Sequence, residues 1–159
     1  MAKRRPARTA AVLLLMALLG TACQRHTVYN HYEHTPLSGW ERNDTLTFNT
    51  GELQEGTYKQ EVGVRISGDY PFTKLTLIVE QTALVSRDHR TDTLTCTLFD
   101  QQGNAKGRGV SHYQSLFHLN TLHLQQGERL QVAIRHDMKR EILPGIADIG
   151  MKLTSTSRP

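Results

Sequence analysis

Alternation of apolar and polar side chains, repeated in short stretches, is the feature that most constrains the fold of this chain. The clearest examples are residues 58–67 and 75–83. Their apolar side chains fall at every second position, at Val62, Val64 and Ile66 in the first stretch and at Leu75, Leu77 and Val79 in the second. A period of two is typical of β-strands that bury one face.

Further stretches extend this series to seven or eight predicted strands, at residues 45–50, 93–100, 117–124, 130–135 and 146–154. Clusters of turn-forming residues separate them, at residues 51–56, 68–71, 101–109 and 125–127. Only residues 137–143 indicate a helical turn. The sequence therefore predicts an all-β fold, an antiparallel β-sandwich of either jelly-roll or immunoglobulin-like topology.

The first 22 residues differ from the rest of the chain in composition. They contain a basic cluster followed by an apolar run of 11 residues at positions 10–20. This run is too short for an ordinary membrane-spanning helix, which needs about 20 apolar residues. We therefore predict a secretory signal peptide over residues 1–22.

The signal peptide leads directly into Cys23, and residues 19–23 (LGTAC) resemble a bacterial lipobox, although Gly20 stands where Leu is commoner. The resemblance implies that fatty acyl chains, palmitate among them, are attached to Cys23 and anchor the mature protein to a membrane. Gln24 stands where Asp would favour inner-membrane retention, and residues 24–30 lack the acidic cluster that resembles a surface-export signal. We therefore expect the periplasmic face of the outer membrane. We expect a tether at residues 23–38, whose later half becomes an edge strand, and a sandwich domain at residues 39–156.

The charge distribution argues against nucleic acid as a partner. Four of the 19 Lys and Arg residues lie in the first 22 positions, which hold no acidic residue, so the remaining chain balances 15 Asp and Glu with 15 basic side chains. A neutral body lacks the excess positive charge that binding to a phosphate backbone requires. The sequence pI near 9.3 therefore reflects the basic residues of the predicted signal peptide.

Cys96 is the second of the two cysteines in the chain. With Cys23 lipidated, Cys96 has no intramolecular disulfide partner. Residues 94–98 alternate Leu, Thr, Cys, Thr and Leu, which places Cys96 on the apolar face of a strand. We expect a buried thiol, because a nucleophile would need an exposed thiol and a neighbouring base.

No residue pattern in the chain predicts catalysis, a metal or a cofactor. His31, Glu33 and His34 are close in sequence, but an extended segment points His34 away from the other two, so a solvated surface is the preferred interpretation. His118 and His123 alternate with apolar neighbours and are expected to face solvent. There is no G-x-S-x-G motif, and the glycine-rich residues 103–109 are interpreted as a hairpin loop.

Trp40, the only tryptophan, allows two interpretations. It can pack at the rim of the core, which we favour, or lie on the surface and stack on a sugar or a partner, which makes it the candidate binding residue. Asp148, between Ile146 and Ile149, needs hydrogen-bond donors if it is buried, and Arg135 or backbone amides are candidates.

Several segments taken together resemble one family. They are Cys23, residues 40–45 (WERNDT), 70–72 (YPF), 92–96 (DTLTC) and 136–139 (HDMK), followed by Leu143, Gly145, Ile146 and residues 148–150 (DIG). In this order and spacing they resemble the gliding motility-associated lipoprotein GldH family of Bacteroidota. The resemblance implies an envelope lipoprotein associated with the gliding apparatus and with the type IX secretion system. It implies no enzyme, and only Cys23 carries over as a functional position.

The sequence thus favours a non-enzymatic, lipid-anchored β-sandwich that holds envelope proteins at the membrane. A carbohydrate-binding sandwich that uses Trp40 and Tyr32 is the alternative, because many lectins share this fold class. A hydrolase with an unrecognised site is the third hypothesis.

Overall fold

The structure is a computed structural model that describes residues 26–156. Within that range the chain forms ten β-strands, which pair antiparallel throughout. They are β1 (His26–His34), β2 (Trp40–Glu41), β3 (Leu46–Asn49), β4 (Gly56–Ser67), β5 (Lys74–Ala83), β6 (His89–Thr97), β7 (His112–Leu124), β8 (Leu130–His136), β9 (Ile142–Leu143) and β10 (Ile146–Ser155). The predicted all-β antiparallel sandwich is confirmed. The predicted signal peptide and Cys23 lie outside the range that the structure describes.

Strand pairing is nested from the two ends of the folded region inward. β1 pairs with β10, β2 with β9, β3 with β8, β4 with β7 and β5 with β6. Two further pairings, β10 with β4 and β8 with β5, join these ribbons into four-stranded sheets of order β1-β10-β4-β7 and β3-β8-β5-β6. A long antiparallel ribbon rolled up in this way is a jelly roll, which resolves the topology that the sequence left open.

The core lies between the two four-stranded sheets. The alternating apolar residues named from the sequence all point into it and are buried, at Val62, Val64, Ile66, Leu75, Leu77 and Val79. Because successive strand residues point to opposite faces, the intervening residues of β4 and β5 lie on the outside. Cys96 is buried as predicted, next to Leu75 in the β5-β6 pairing.

The helical turn predicted at residues 137–143 is wrong. This segment contains β9, which pairs with β2 to form a small two-stranded sheet beside the sandwich. Leu143 is fully buried, and Met138 packs against the core from the preceding loop. The spacing of these apolar residues matches a helical period, although each residue packs against the core from an extended backbone.

Strand β1 lies inside residues 23–38, the range in which the sequence favoured a tether, and it begins before the later half of that range. It is an edge strand that pairs only with β10, and most of its side chains are exposed or half-buried. Because so few of its side chains are buried, this edge strand has a polar composition close to that of a linker. The polar sequence therefore gave little sign of where the folded body begins.

Candidate functional site

The position of the predicted anchor follows from where β1 begins. Cys23 is outside the described range, and only Gln24 and Arg25 separate it from His26 in the sequence. Three residues of fully extended chain span at most about 10 Å. An acylated Cys23 would therefore hold the beginning of β1 within about 10 Å of the bilayer. Residues 26–156 themselves contain no helix with the length and hydrophobicity that crossing a bilayer requires.

Trp40 is fully buried, so the interpretation in which it lies on the surface and stacks on a sugar or a partner is wrong. Its indole ring meets the ring of His136 edge-on, with centroids 5.2 Å apart. The indole Nε1 donates a hydrogen bond to the carbonyl oxygen of Asp44 at 3.0 Å. Trp40 therefore belongs to the core beside the β2-β9 pair, which is the alternative that the sequence favoured.

His136 is a buried histidine whose two ring nitrogens are both engaged. Its Nε2 lies 3.0 Å from the carbonyl oxygen of Trp40, and the backbone amide of Met138 lies 3.4 Å from its Nδ1. This arrangement fits a neutral ring that donates from Nε2 and accepts at Nδ1. Desolvation lowers the pKa of His136 and outweighs the hydrogen bond to Trp40, which raises it. The ring is a structural link with no free nitrogen for proton transfer.

Cys96 is equally unsuited to chemistry. Its thiol is buried, and burial raises the pKa to about 12. Since the thiolate is the nucleophilic form, Cys96 stays protonated and inert near neutral pH.

The histidines near the surface do not assemble a metal site. His31 Nε2 lies 2.9 Å from Glu33 Oε1, whereas His34 reaches a different carboxylate, that of Asp148. In residues 26–156 no group of three or more His, Cys, Asp or Glu side chains is placed to hold a metal ion. His118 and His123 are exposed on β7, as predicted.

Tyr32 lies on the outer face of the β1-β10-β4-β7 sheet, against two glycines. A Cβ atom at Gly63 or Gly150 would fall 2.3 Å or 2.5 Å from atoms of the Tyr32 side chain, so only glycine fits beneath it. The Arg65 guanidinium lies 4.3 Å from the ring centroid, and Gln114 Nε2 donates to the hydroxyl at 2.9 Å. These contacts occupy the side chain, and Tyr32 offers no free platform for a sugar.

Asp148 is buried on the same outer face and contacts two basic side chains from other strands of the sheet. Arg65 Nη1 lies 3.4 Å from Oδ2, and His34 Nδ1 contacts Oδ1. Arg65 is thus the side-chain donor to Asp148, in place of the Arg135 or backbone amides expected from the sequence. Because His34 is on β1, Arg65 on β4 and Asp148 on β10, the cluster ties the edge strand to the sheet.

A groove opens between β6 and β7, the terminal strands of the two sheets. Its volume is about 910 Å³, within the range of ligand pockets. Thr95 and Thr97 form one wall and residues 114–117 the other, and the loop between the strands adds Lys106 and Arg108. Both cations are exposed, and neither has an ion-pair partner in the part of the chain that the structure describes.

Glycines allow the loop that carries these cations to pack closely on β7. A Cβ at Gly107 would lie 2.8 Å from the carbonyl oxygen of Gln114, and Gly109 has a φ of 147°. The amide of Arg108 donates to the Gln114 carbonyl at 2.9 Å, and the reverse bond has the same length. The predicted hairpin loop at residues 103–109 therefore holds Lys106 and Arg108 over the groove, a role that its turn-like sequence did not indicate.

Comparison with known proteins identifies one family. The model of the GldH lipoprotein family matches residues 27–153. No curated protein matches the chain.

Solved structures with a similar fold include three of low identity. A family GH115 4-O-methyl-α-glucuronidase specific for decorated arabinogalactans is 15% identical over 86% of this chain, which spans 18% of that enzyme, at a TM-score of 0.47. A protein from Sulfurospirillum deleyianum is 8% identical over 82% of this chain and 99% of its own, at 0.41. Eiger TNF from S. frugiperda is 12% identical over 84% of this chain and 96% of its own, at 0.32. Similarity at these scores supports no functional argument.

Proposed function

The chain belongs to the GldH lipoprotein family, and from this premise we propose that it is a non-enzymatic envelope protein that holds partner proteins of the gliding motility and type IX secretion machinery. The family makes it a lipid-anchored lipoprotein linked to gliding motility. Cys23 is the residue proposed to carry the acyl chains, and several chains on one residue anchor a protein far more firmly than one chain does. The absence of Asp after Cys23 supports the outer membrane, and the absence of an acidic cluster at residues 24–30 supports its periplasmic face.

A role by contact fits the state of the reactive side chains. The Cys96 thiol is buried with a raised pKa, and both ring nitrogens of His136 are engaged. The Asp148 carboxylate is held by Arg65 and His34 within the sheet. Enzymes arrange such groups around a cavity, and these groups instead lie at separate structural positions.

The groove between β6 and β7 is the observation that carries the proposed mode of contact. Lys106 and Arg108 face solvent without a carboxylate partner among residues 26–156, and they flank two terminal strands whose outer edges can pair with another chain. Unpaired cations of this kind favour an acidic partner and speed its approach. An acidic extended segment that adds to a strand edge would combine both features.

Charge reversal in the groove tests this proposal. Lys106→Glu with Arg108→Glu should abolish the recovery of envelope proteins that cross-link to the wild-type protein in cells. The matched control is Lys139→Glu with Arg140→Glu, which makes the same charge change at two exposed residues of another loop. The control variant should recover the same proteins as the wild type. Equal recovery by both variants, or no envelope protein with the wild type, would contradict the proposal.

Lipidation is tested separately by labelling cells with a palmitate analogue. The wild-type protein should be labelled and should sediment with the outer membrane, and Cys23→Ser should lose the label. A labelled Cys23→Ser variant would place the acyl chains elsewhere and remove the proposed anchor.

A further inference from the structure

One end of the sandwich gathers the beginning of β1 and three loops, at residues 51–55, 84–88 and 125–129, and is called the near end here. Strand register places them together. His26 pairs with Ser155, which pairs with Tyr58 close to the beginning of β4. Gly56 pairs with Leu124 at the end of β7, Leu53 bridges to Glu128, and Ala83 at the end of β5 pairs with Leu130. The near end is therefore the end from which the chain runs back to Cys23.

Two apolar side chains point into solvent at this end. Leu84 is 42% exposed and Val85 is 60% exposed, at the tip of the loop between β5 and β6. Single exposed apolar residues are common on protein surfaces and need no explanation. Two consecutive exposed apolar residues, in a loop whose backbone is fixed by hydrogen bonds, indicate a surface that contacts something apolar.

The tip is held by Glu128, whose side chain comes from the neighbouring loop. Glu128 is only 2% exposed, and its carboxylate accepts hydrogen bonds from the amides of Val85 at 2.8 Å and Ser86 at 3.1 Å. The amide of Leu84 donates to the carbonyl of Arg129 at 2.8 Å. A buried carboxylate thus fixes the backbone that presents Leu84 and Val85 outward.

From these observations we propose that the near end rests on the bilayer surface, with Leu84 and Val85 inserted into the interfacial region of the lipid. The inference rests on the proposed acylation of Cys23. Cys23 is at most about 10 Å of extended chain from His26, so acyl chains on it bring this end, and no other, against the membrane. Transfer of apolar side chains at such an end from water into lipid lowers the free energy.

The charges of the three loops define the lipid that this surface fits. Arg87 and Arg129 are opposed by Glu52, Glu55 and Asp88, in addition to the buried Glu128. The near end therefore has no excess of positive charge for anionic headgroups. The contact is apolar, and a zwitterionic bilayer suffices for it.

The geometry also orients the rest of the molecule. Residues 98–111, which connect β6 to β7, lie at the opposite end of the sandwich, because β7 begins there and runs to Leu124 at the near end. With the near end on lipid, Lys106 and Arg108 face away from the bilayer.

Tryptophan quenching tests the orientation with the acylated full-length protein in phosphatidylcholine vesicles. Val85→Trp places an indole at the proposed contact, and brominated acyl chains should quench most of its added fluorescence. Val110→Trp is the matched control, because Val110 is 93% exposed in the β6-β7 connection at the opposite end. Its added fluorescence should be unchanged. The signal of the buried Trp40, measured in the wild-type protein, is subtracted from both.

Each remaining outcome overturns a distinct claim. If the protein floats with the vesicles and neither new indole is quenched, or both are quenched equally, the orientation is wrong and the acyl anchor stands. If the protein isolated from membranes does not float with the vesicles, the anchor itself is wrong and the orientation falls with it.

Discussion

The two ends of the sandwich are held in different ways. At the end opposite the near end, called the far end, buried side chains close the fold: Trp40 of β2 packs on His136, and Leu143, its partner in the β2-β9 pair, is fully buried. At the near end one carboxylate, that of Glu128, accepts backbone hydrogen bonds from Val85 and neighbouring residues. Both ends bury apolar side chains, Leu53, Leu124 and Leu130 among them at the near end, but the loop tip of the near end depends on charge-assisted hydrogen bonds, so the ends should differ in their response to substitution and to pH.

The largest expected effect is at the far end. Trp40→Ala should lower the free energy of unfolding by about 3–5 kcal/mol, because a fully buried aromatic ring leaves a cavity. Urea unfolding followed by circular dichroism measures the loss without relying on tryptophan fluorescence. Leu37→Ala, at an exposed residue of the same end, is the control and should stay within about 0.5 kcal/mol of wild type. A loss below about 1 kcal/mol for Trp40→Ala would show that burial does not close this end.

Removal of the near-end carboxylate should have an intermediate effect. Glu128→Ala should cost about 1–3 kcal/mol, because the amides of Val85 and Ser86 lose a buried charged acceptor. Trypsin should also cleave after Arg87 faster than in the wild-type protein, since the loop is released. Glu128→Gln keeps one acceptor oxygen, so its stability and its cleavage rate should lie between those of the wild type and those of Glu128→Ala. Unchanged stability and unchanged cleavage would mean that Glu128 does not hold the tip.

The pH response should separate the ends further. The pKa of His136 lies below its usual value of 6.5 in the folded protein, because burial disfavours the charged ring. The unfolded chain therefore binds the proton first, and stability should fall as the pH drops below about 6.5. His136→Gln should show a smaller loss between pH 7.5 and about 5.5 in urea titrations. An identical loss in both proteins would assign the pH dependence to other groups.

The smallest effect is expected at the near-end tip. Val85→Ser should change the free energy of unfolding by less than about 0.5 kcal/mol, because the side chain is exposed and the backbone hydrogen bond to Glu128 is kept. Thermal unfolding of the full-length protein measures the change in stability. A large destabilisation would show that Val85 serves the fold, and its exposure would then say nothing about lipid.

Regular strands were predictable because their period of two is strong and their burial is complete on one face. Strands β4 and β5 appeared at nearly their observed bounds, and the alternation at residues 94–98 placed Cys96 correctly. Strands β2 and β9 have two residues each, too few for any period, and the apolar spacing at residues 137–143 suggested a helical turn instead.

The contacts made by particular side chains were harder to predict. Glycines within strands signal a close approach, yet nothing in the sequence identified Tyr32 as the side chain that lies over Gly63 and Gly150. Arg65, the donor to Asp148, is 83 residues away in sequence, and Glu128 accepts from amides 42 and 43 residues away. Such pairings depend on the rolled topology, which the residues alone left open.

The nested pairing has a consequence for how the protein matures. The first strand of the folded region bonds to its last, with His26 opposite Ser155, and contacts this distant in sequence form slowly. In a chain exported through a membrane channel, as the predicted signal peptide implies, the sandwich cannot close until its last strand has emerged. On that route the amino-terminal strand stays unpaired until translocation delivers β10.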